Sequence, residues 1–247
     1  MRGEVRASGS VEFGLTIDGV EVPFEPGQTI MEAAAGAGVY IPHLCFHPDF
    51  KPHGSCKLCT VKANGRYATA CTTPATDGMT VENITDAIQS DRRRLTQMLF
   101  VEGNHYCPFC EKSGNCQLQA VAYFVGMQET YFRHFYPRRE LDASHPDILL
   151  DRDRCIQCEL CVRASREVDG KNVFGLGGRG MRTRLVVNSE SGLLKDTDIT
   201  KDDRAVHACP TGAILPKHVA YRVPIGERLY DRRSIAEVGH REPAAKG

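Results

Sequence analysis

The sequence lacks a long apolar run and carries no net charge. No stretch approaches the roughly 18 apolar residues of a membrane-spanning helix, and the first residues, Met1 to Arg6, lack the apolar segment of a secretory signal. The 31 basic and 31 acidic side chains cancel, whereas proteins that bind nucleic acid or acidic membranes usually have a basic excess. We therefore expect a cytoplasmic protein that binds neither nucleic acid nor membrane.

Patterns typical of hydrolytic and dinucleotide-binding sites are also missing. There is no G-x-S-x-G or H-E-x-x-H sequence. The segment Gly175 to Gly180 matches G-x-G-x-x-G, but a dinucleotide fingerprint follows a strand and opens a helix, and the next residues, Met181 to Asn188, predict a strand. We expect a glycine-rich turn or hairpin here, and no catalytic, nucleotide or flavin site on this chain.

The sequence does contain 11 cysteines, which fall into three spaced groups. Cytosolic thiols stay reduced, so the cysteines are predicted to bind metal rather than to form disulfides. Together with one histidine they supply the ligands of three four-ligand iron-sulfur clusters, with no cysteine left over. The groups are Cys45, Cys56, Cys59 and Cys71; His105, Cys107, Cys110 and Cys116; and Cys155, Cys158, Cys161 and Cys209.

The first group follows a pattern of a hairpin and a helix. Apolar residues alternate from Val11 to Phe24 around Asp18-Gly19, a two-residue hairpin signal. Thr29 and Glu32 then form a capping box, which predicts that a helix begins there and ends near Gly36 to Gly38. A hairpin packed on a helix and followed by a cysteine loop is the layout of β-grasp ferredoxins.

The ligand spacing of this group, C-x10-C-x2-C-x11-C, leaves two metals open. The irregular stretch Phe46 to Ser55 can point backbone amides at cluster sulfurs, and a short strand, Thr60 to Thr69, brings the chain back to Cys71. Zinc would use the same thiolates, but zinc sites more often pair two C-x2-C knuckles and this group has one. The pattern favours a cluster over zinc.

The second group lies between two predicted helices. The first runs from Thr85 to Val101, with Arg92 to Arg94 expected in solvent, and the second begins after Cys116. Three thiolates need a fourth ligand, and His105 is the nearest candidate. An imidazole ligand would leave the cluster less negative and raise its potential. The apolar face of the first helix comprises Ile88, Leu95 and Leu99.

The third group carries the strongest local motif. Cys155 to Cys161 reads C-x2-C-x2-C, as in bacterial ferredoxins, and Cys209-Pro210-Thr211-Gly212 is similar to the closing half of that motif. A two-cluster ferredoxin would have another cysteine where Ser165 stands, and it would have a second triplet before Cys209, which is absent. The sequence predicts one cluster with Cys209 as its fourth ligand.

In this order, the three groups resemble the N-terminal part of the large iron-sulfur subunit of respiratory complex I, over roughly Val11 to Pro216. The same order recurs in iron-only hydrogenases and some NAD-linked formate dehydrogenases. As a free-standing chain, the protein is similar to the family of small diaphorase subunits of cytoplasmic NAD-reducing nickel-iron hydrogenases. In the complex I relatives the histidine precedes its cysteine as H-x3-C, whereas His105-Tyr106-Cys107 is two residues shorter, so this loop must fold differently.

The resemblance implies an α+β fold in four parts. Residues 11–82 would form a β-grasp domain with a 2Fe-2S cluster, and residues 83–145 a short helical segment whose histidine and three cysteines hold a 4Fe-4S cluster. Residues 146–216 would form a bacterial-type ferredoxin-like domain with one further 4Fe-4S cluster. Residues 217–247 are expected to be an extension for subunit contacts, with a disordered tail as the alternative.

The resemblance also implies a role and partners. The chain would relay single electrons between a diaphorase large subunit that binds FMN and NAD and the small and large hydrogenase subunits, which carry the nickel-iron centre. It would thus be part of an enzyme without converting a substrate itself. The alternatives are the same role in an NAD-linked formate dehydrogenase or a split complex I-like module, and, in another class, a zinc-stabilised interaction protein.

Overall fold

The structure, a computed structural model, describes residues 13–129, 131–219 and 221–239, and the chain divides into two compact units, residues 1–95 and 96–247. The strands are β1 Phe13–Ile17, β2 Val20–Phe24, β3 Thr60–Ala63, β4 Arg66–Thr69, β5 Thr80–Glu82, β6 Leu141–Asp142, β7 Ile148–Asp151, β8 Phe174–Gly177, β9 Arg184–Val187 and β10 Ile214–Pro216. The helices are α1 Ile30–Gly36, α2 Asp86–Glu102, α3 Gln117–Phe124, α4 Leu160–Glu167, α5 Arg204–His207 and α6 Ile235–Val238. Among the described residues, no helix has the length and apolar character that crossing a bilayer would require.

The predicted first hairpin is confirmed from Phe13 onward; Val11 lies outside the described residues. β1 pairs antiparallel with β2, and the turn residues Asp18 and Gly19 both have positive φ, 49° and 82°. That combination suits the two-residue turns that match the natural twist of a hairpin. β1 then pairs parallel with β5, which completes a five-stranded sheet of order β2-β1-β5-β3-β4.

Helix α1 confirms the predicted capping box. The Thr29 side chain accepts a hydrogen bond from the Glu32 amide, and the Glu32 carboxylate accepts one from the Thr29 amide, at 2.7 Å. The helix ends at Gly36 as expected, and its buried residues join the sheet in one hydrophobic core. Cys59 and Cys71 belong to that core, so two of the first-group cysteines are buried within this unit.

The single strand predicted over Thr60 to Thr69 is wrong, because the segment is a hairpin of β3 and β4. Its turn is Asn64-Gly65, with positive φ at both residues, 47° and 79°. Asn-Gly is a strong signal for such a turn. The hairpin returns the chain to Cys71 beside Cys59.

Helix α2 begins one residue later than predicted and ends one residue later. The Thr85 hydroxyl accepts a hydrogen bond from the Ile88 amide at its start. Arg93 and Arg94 are exposed as expected, but Arg92 is only 1% exposed, so its placement in solvent was wrong.

The second unit, residues 96–247, is built on small sheets and short helices. One sheet has the order β10-β7-β6, and β8 pairs antiparallel with β9. The β8–β9 hairpin contains the G-x-G-x-x-G segment and confirms a glycine-rich hairpin in place of a dinucleotide fold. The second strand, β9, begins at Arg184 instead of Met181, because residues Gly180–Arg182 form a 3-10 turn.

Candidate metal centres

The first unit, residues 1–95, brings the thiols of Cys45, Cys56, Cys59 and Cys71 together in two close pairs. The sulfurs of Cys59 and Cys71 lie 3.3 Å apart. Cys45 and Cys56 also share a hydrogen bond, which lowers the pKa of Cys45 and raises that of Cys56. The Cys59–Cys71 hydrogen bond likewise lowers the pKa of Cys71 and raises that of Cys59. Each pair therefore favours one thiolate even before a metal binds.

The loop around these thiols directs a backbone donor at sulfur. The amide of Cys56 lies 3.4 Å from the Cys45 sulfur. Between Cys56 and Cys59, Lys57 adopts a left-handed conformation with φ 58°, which is uncommon for a residue with a side chain. Amides that point at sulfur stabilise negative charge there.

A buried arginine supports the same loop, and the sequence interpretation missed it. Arg92 donates from Nε to the Leu58 carbonyl at 3.0 Å and from Nη2 to the Thr60 carbonyl at 3.0 Å. These two carbonyls flank Cys59. Burial lowers the pKa of Arg92 to about 10, and negative charge at Cys59 opposes that shift.

The three cysteines of the second group lie close together in the unit of residues 96–247. Cys107 begins a 3-10 turn, Cys107–Phe109, and Cys116 stands directly before α3. Burial raises the pKa of Cys116 to about 12, and negative charge on Cys110 and Cys107 contributes to the same shift. The pKa of Cys107 is raised by burial and by Cys110. Because these thiols alter one another's pKa values, the three cysteines belong to one site.

His105 has the features of a neutral ligand. Burial and then the positive charge of Arg154 lower its pKa to about 4, against a weaker opposing effect of a hydrogen bond with the Leu99 backbone. Its Nε2 atom is buried and has no hydrogen-bond partner among the described residues. Metal-binding histidines usually present one ring nitrogen to the metal and engage a carbonyl with the other, which is the pattern found here.

Gly103 makes room for this ring. A Cβ atom at Gly103 would lie 2.6 Å from His105 Nε2 and 2.7 Å from the Asp153 carbonyl oxygen. Asn104 fixes the same stretch, because its amide donates to the Asp153 carbonyl at 2.8 Å. The shortened H-x1-C loop is thus packed directly on the segment that precedes Cys155.

The third group surrounds a recess of about 340 Å³, part of which is open to solvent. All four cysteines, Cys155, Cys158, Cys161 and Cys209, line it, with apolar residues of the β8–β9 hairpin. Burial raises the pKa of Cys161, and negative charge on the other three thiols raises it further. The predicted return of Cys209 to the triplet is therefore present in the structure.

The loop of this group repeats the backbone features of the first. Gln157 and Glu159 have positive φ, 55° and 59°. The Gln157 amide lies 3.4 Å from the Cys155 sulfur. Neither position carries a glycine, the residue that favours this conformation, so no local pattern predicted it.

Ser165, where a two-cluster ferredoxin would have a cysteine, has a structural role. Its hydroxyl accepts a hydrogen bond from the Val173 amide at 2.7 Å, and its carbonyl accepts from the amides of Lys171 and Asn172. These bonds join the end of α4 to the start of β8. The residue therefore fixes the turn beside the site.

The three cysteine groups offer thiolate sulfurs, and backbone amides lie beside the sulfurs of Cys45 and Cys155. Amides aimed at sulfur stabilise the negative charge that a thiolate-bound cluster carries. The donor sets therefore fit iron-sulfur clusters.

Three family models match consecutive parts of the chain. A 2Fe-2S iron-sulfur cluster binding domain matches residues 10–86. The NADH-ubiquinone oxidoreductase-G iron-sulfur binding region matches residues 92–130, and a 4Fe-4S single cluster domain matches residues 148–215. The chain thus contains both 2Fe-2S and 4Fe-4S binding domains, within the predicted α+β architecture.

Two similar proteins match almost the whole chain. The NAD-reducing hydrogenase HoxS subunit gamma of Cupriavidus necator is 42% identical over 222 residues, which cover 90% of this chain and 94% of that one. A crystal structure of NAD+-reducing NiFe hydrogenase in the H2-reduced state contains a chain that is 50% identical, with a TM-score of 0.88, over 91% of this chain and 96% of that one.

A longer relative matches only through its iron-sulfur part. The mitochondrial NADH-ubiquinone oxidoreductase 78 kDa subunit of Candida albicans is 30% identical over 85% of this chain but only 29% of its own length. Identity above 40% along nearly the full length of the hydrogenase subunit is the decisive likeness. The chain therefore belongs to the family of gamma subunits of NAD-reducing hydrogenases, which are iron-sulfur electron-transfer subunits of an oxidoreductase complex.

Proposed function

We propose that this chain holds one 2Fe-2S and two 4Fe-4S clusters and relays single electrons between a flavin- and NAD-binding diaphorase subunit and a nickel-iron hydrogenase module. The observation that carries the proposal is the gathering of 11 cysteines into three separate groups, with His105 two residues before the first cysteine of the second group, in a chain similar to a hydrogenase gamma subunit over 94% of that subunit's length. The four-part division at residues 82, 145 and 216 belongs to the same proposal.

The 2Fe-2S cluster is assigned to the first group. Each of its two irons takes two thiolates. Cys45 and Cys56 would serve one iron and Cys59 and Cys71 the other, because these are the pairs that share hydrogen bonds. The second group, with His105 as fourth ligand, and the third group would each hold a 4Fe-4S cluster.

The clusters would supply the capacity to gain and lose one electron at a time. The protein residues do three things around them. Backbone amides such as those of Cys56 and Gln157 donate to cysteine sulfur, and burial shields six of the 11 cysteines from solvent. A neutral His105 replaces a negative thiolate in the second site. All three are means by which proteins set cluster potentials.

The experiment that tests the proposal is metal analysis with EPR spectroscopy of the anaerobically purified full chain. We expect about ten iron atoms per chain for one 2Fe-2S and two 4Fe-4S clusters, with one slowly relaxing and two fast-relaxing signals after reduction. Single variants Cys59→Ser, Cys116→Ser and Cys161→Ser should each remove or alter a different signal. A colourless sample that contains zinc and gives no EPR signal contradicts the proposal.

The role between the two modules needs a separate measurement. The chain, co-expressed with diaphorase and hydrogenase subunits of its family, should form a complex that reduces NAD with hydrogen. A Cys161→Ser complex should keep NADH-driven dye reduction by the flavin subunit yet lose hydrogen-driven NAD reduction. Retention of both activities would show that electrons bypass the third group.

A further inference from the structure

A half-buried ion-pair network lies between the second and third cysteine groups. The Arg154 guanidinium contacts Glu111 through Nη1 and Asp151 through Nε, each at 2.7 Å. Its side chain is only 20% exposed. Arg154 stands immediately before Cys155 and Glu111 immediately after Cys110, so the network connects the two groups along the chain as well as in space.

The guanidinium faces the second group. A Cβ atom at Gly212 would lie 3.1 Å from the Cys110 sulfur and 3.3 Å from Arg154 Nη1, so the sulfur and the cationic nitrogen are neighbours across Gly212. This closeness places Arg154 within electrostatic reach of the second group.

The main chain of the same residue supports the third group. The Thr211 hydroxyl donates to the Arg154 carbonyl at 2.9 Å and lies 3.7 Å from the Cys209 sulfur. Arg154 therefore contacts one site through its charge and the other through its backbone. The two sites should respond differently to its replacement.

We propose that Arg154 is a positioning residue whose positive charge raises the reduction potential of the second-group cluster above the value its ligands alone would give, and that Glu111 and Asp151 oppose it. This inference rests on the proposed function, since it requires clusters at both groups. Reduction adds negative charge to a cluster, so a nearby cation stabilises the reduced form and a nearby carboxylate destabilises it. Limited exposure to water leaves this charge only partly screened.

The test is an EPR-monitored redox titration of the full chain with its clusters. The second-group signal is first identified as the one altered in Cys116→Ser. Arg154→Gln is expected to shift the potential of this signal downward and Glu111→Gln to shift it upward, with a smaller shift of the third-group signal in both. A general loosening of the site would not produce shifts of opposite sign.

Arg166→Gln is the matched control. Arg166 pairs with Glu167 at the same 2.7 Å, but its side chain is 57% exposed, so its removal should shift neither potential. If Arg154→Gln fails to assemble clusters, Arg154→Lys and Glu111→Gln decide the question: the first should stay near the wild-type potential and the second should rise.

Intact clusters whose potentials do not move, or move in the same direction in both charge variants, would overturn the inference and leave the proposed function standing. Absence of 4Fe-4S signals from the wild-type chain would instead overturn the proposed function.

Discussion

Replacement of Arg92 by alanine should destabilise the first unit, residues 1–95, strongly. Arg92 is 1% exposed and, besides a hydrogen bond to the Gln89 side chain on its own helix, donates to four acceptors elsewhere in this unit: the carbonyls of Leu58, Thr60 and Asn83 and the side-chain oxygen of Asn83. At about 1 kcal/mol net for each hydrogen bond, the loss of all four is worth about 4 kcal/mol. The cost is large because the acceptors stay buried after their donor is removed.

Hydrogen exchange followed by mass spectrometry measures this loss locally. Amides of β1 and β5 exchange through opening of the sheet, so a loss of about 4 kcal/mol should speed their exchange nearly a thousandfold. The assay reports the first unit independently of residues 96–247. Iron content measured on the same samples separates loss of the cluster from loss of the hydrogen bonds.

Arg94→Ala is the matched control on the same helix. Arg94 is exposed and pairs with Asp91 at 3.4 Å, so its removal should cost less than about 0.5 kcal/mol. Arg92→Lys keeps the charge but cannot reach all four acceptors, and it should fall between the two. Exchange in Arg92→Ala within tenfold of Arg94→Ala would refute the assigned role of these hydrogen bonds.

Three further changes test other parts of the chain. His105→Ala should alter the EPR signal of the second group and leave the 2Fe-2S signal unchanged; an unaltered spectrum would remove His105 as a ligand. Thr29→Ala removes the acceptor for the Glu32 amide and should destabilise α1 by about 1 kcal/mol, seen as faster exchange of its first-turn amides. Burial alone would raise the pKa of Asp142, but hydrogen bonds from the Ser144 side chain and from the backbone amides of Ser144 and Leu194, the latter at 2.8 Å, hold it below its ordinary value. Its ionised form thus contributes stability that is lost as the pH falls through this lowered pKa, and Asp142→Asn should flatten the dependence of unfolding free energy on pH below about pH 4.

Much of the fold could be predicted because its signals are local. The Asp18-Gly19 turn and the Thr29 capping box depend on residues adjacent in the chain, and both are confirmed. The grouping of the cysteines followed from their count and spacing alone. The assignment of each cysteine as a ligand, and of His105 above all, stays a prediction that the experiments above address.

The burial of Arg92 was missed although the helix carries a signal for it. Arg92 stands four residues after Ile88 and three before Leu95, which places it on the apolar face instead of beside its arginine neighbours. Three consecutive arginines suggest a solvated surface by composition, but in a helix consecutive residues point in different directions. The position of Arg92 on the apolar face of the helix explains its burial.

The left-handed residues of the cysteine loops could not have been predicted from their own types. Lys57, Gln157 and Glu159 take positive φ without being glycine or asparagine. Their conformation follows from the closure of the C-x2-C loops, in which a backbone amide must turn toward sulfur. The positive φ of these residues depends on how the thiols are arranged in the folded chain, and a local sequence pattern carries no information about that arrangement.

Gly212 shows how one short motif can serve two sites. Gly212 follows Cys209 of the third group, yet a Cβ atom there would stand 3.1 Å from the Cys110 sulfur of the second group. The preceding Pro210 carbonyl accepts a hydrogen bond from the Gln117 amide at 2.9 Å, directly after Cys116. The segment that brings Cys209 to the third cysteine group therefore also packs against the second group. Two separate family models match residues 92–130 and 148–215, yet both segments belong to one compact unit of the structure. A change at Gly212 should therefore affect both cysteine groups.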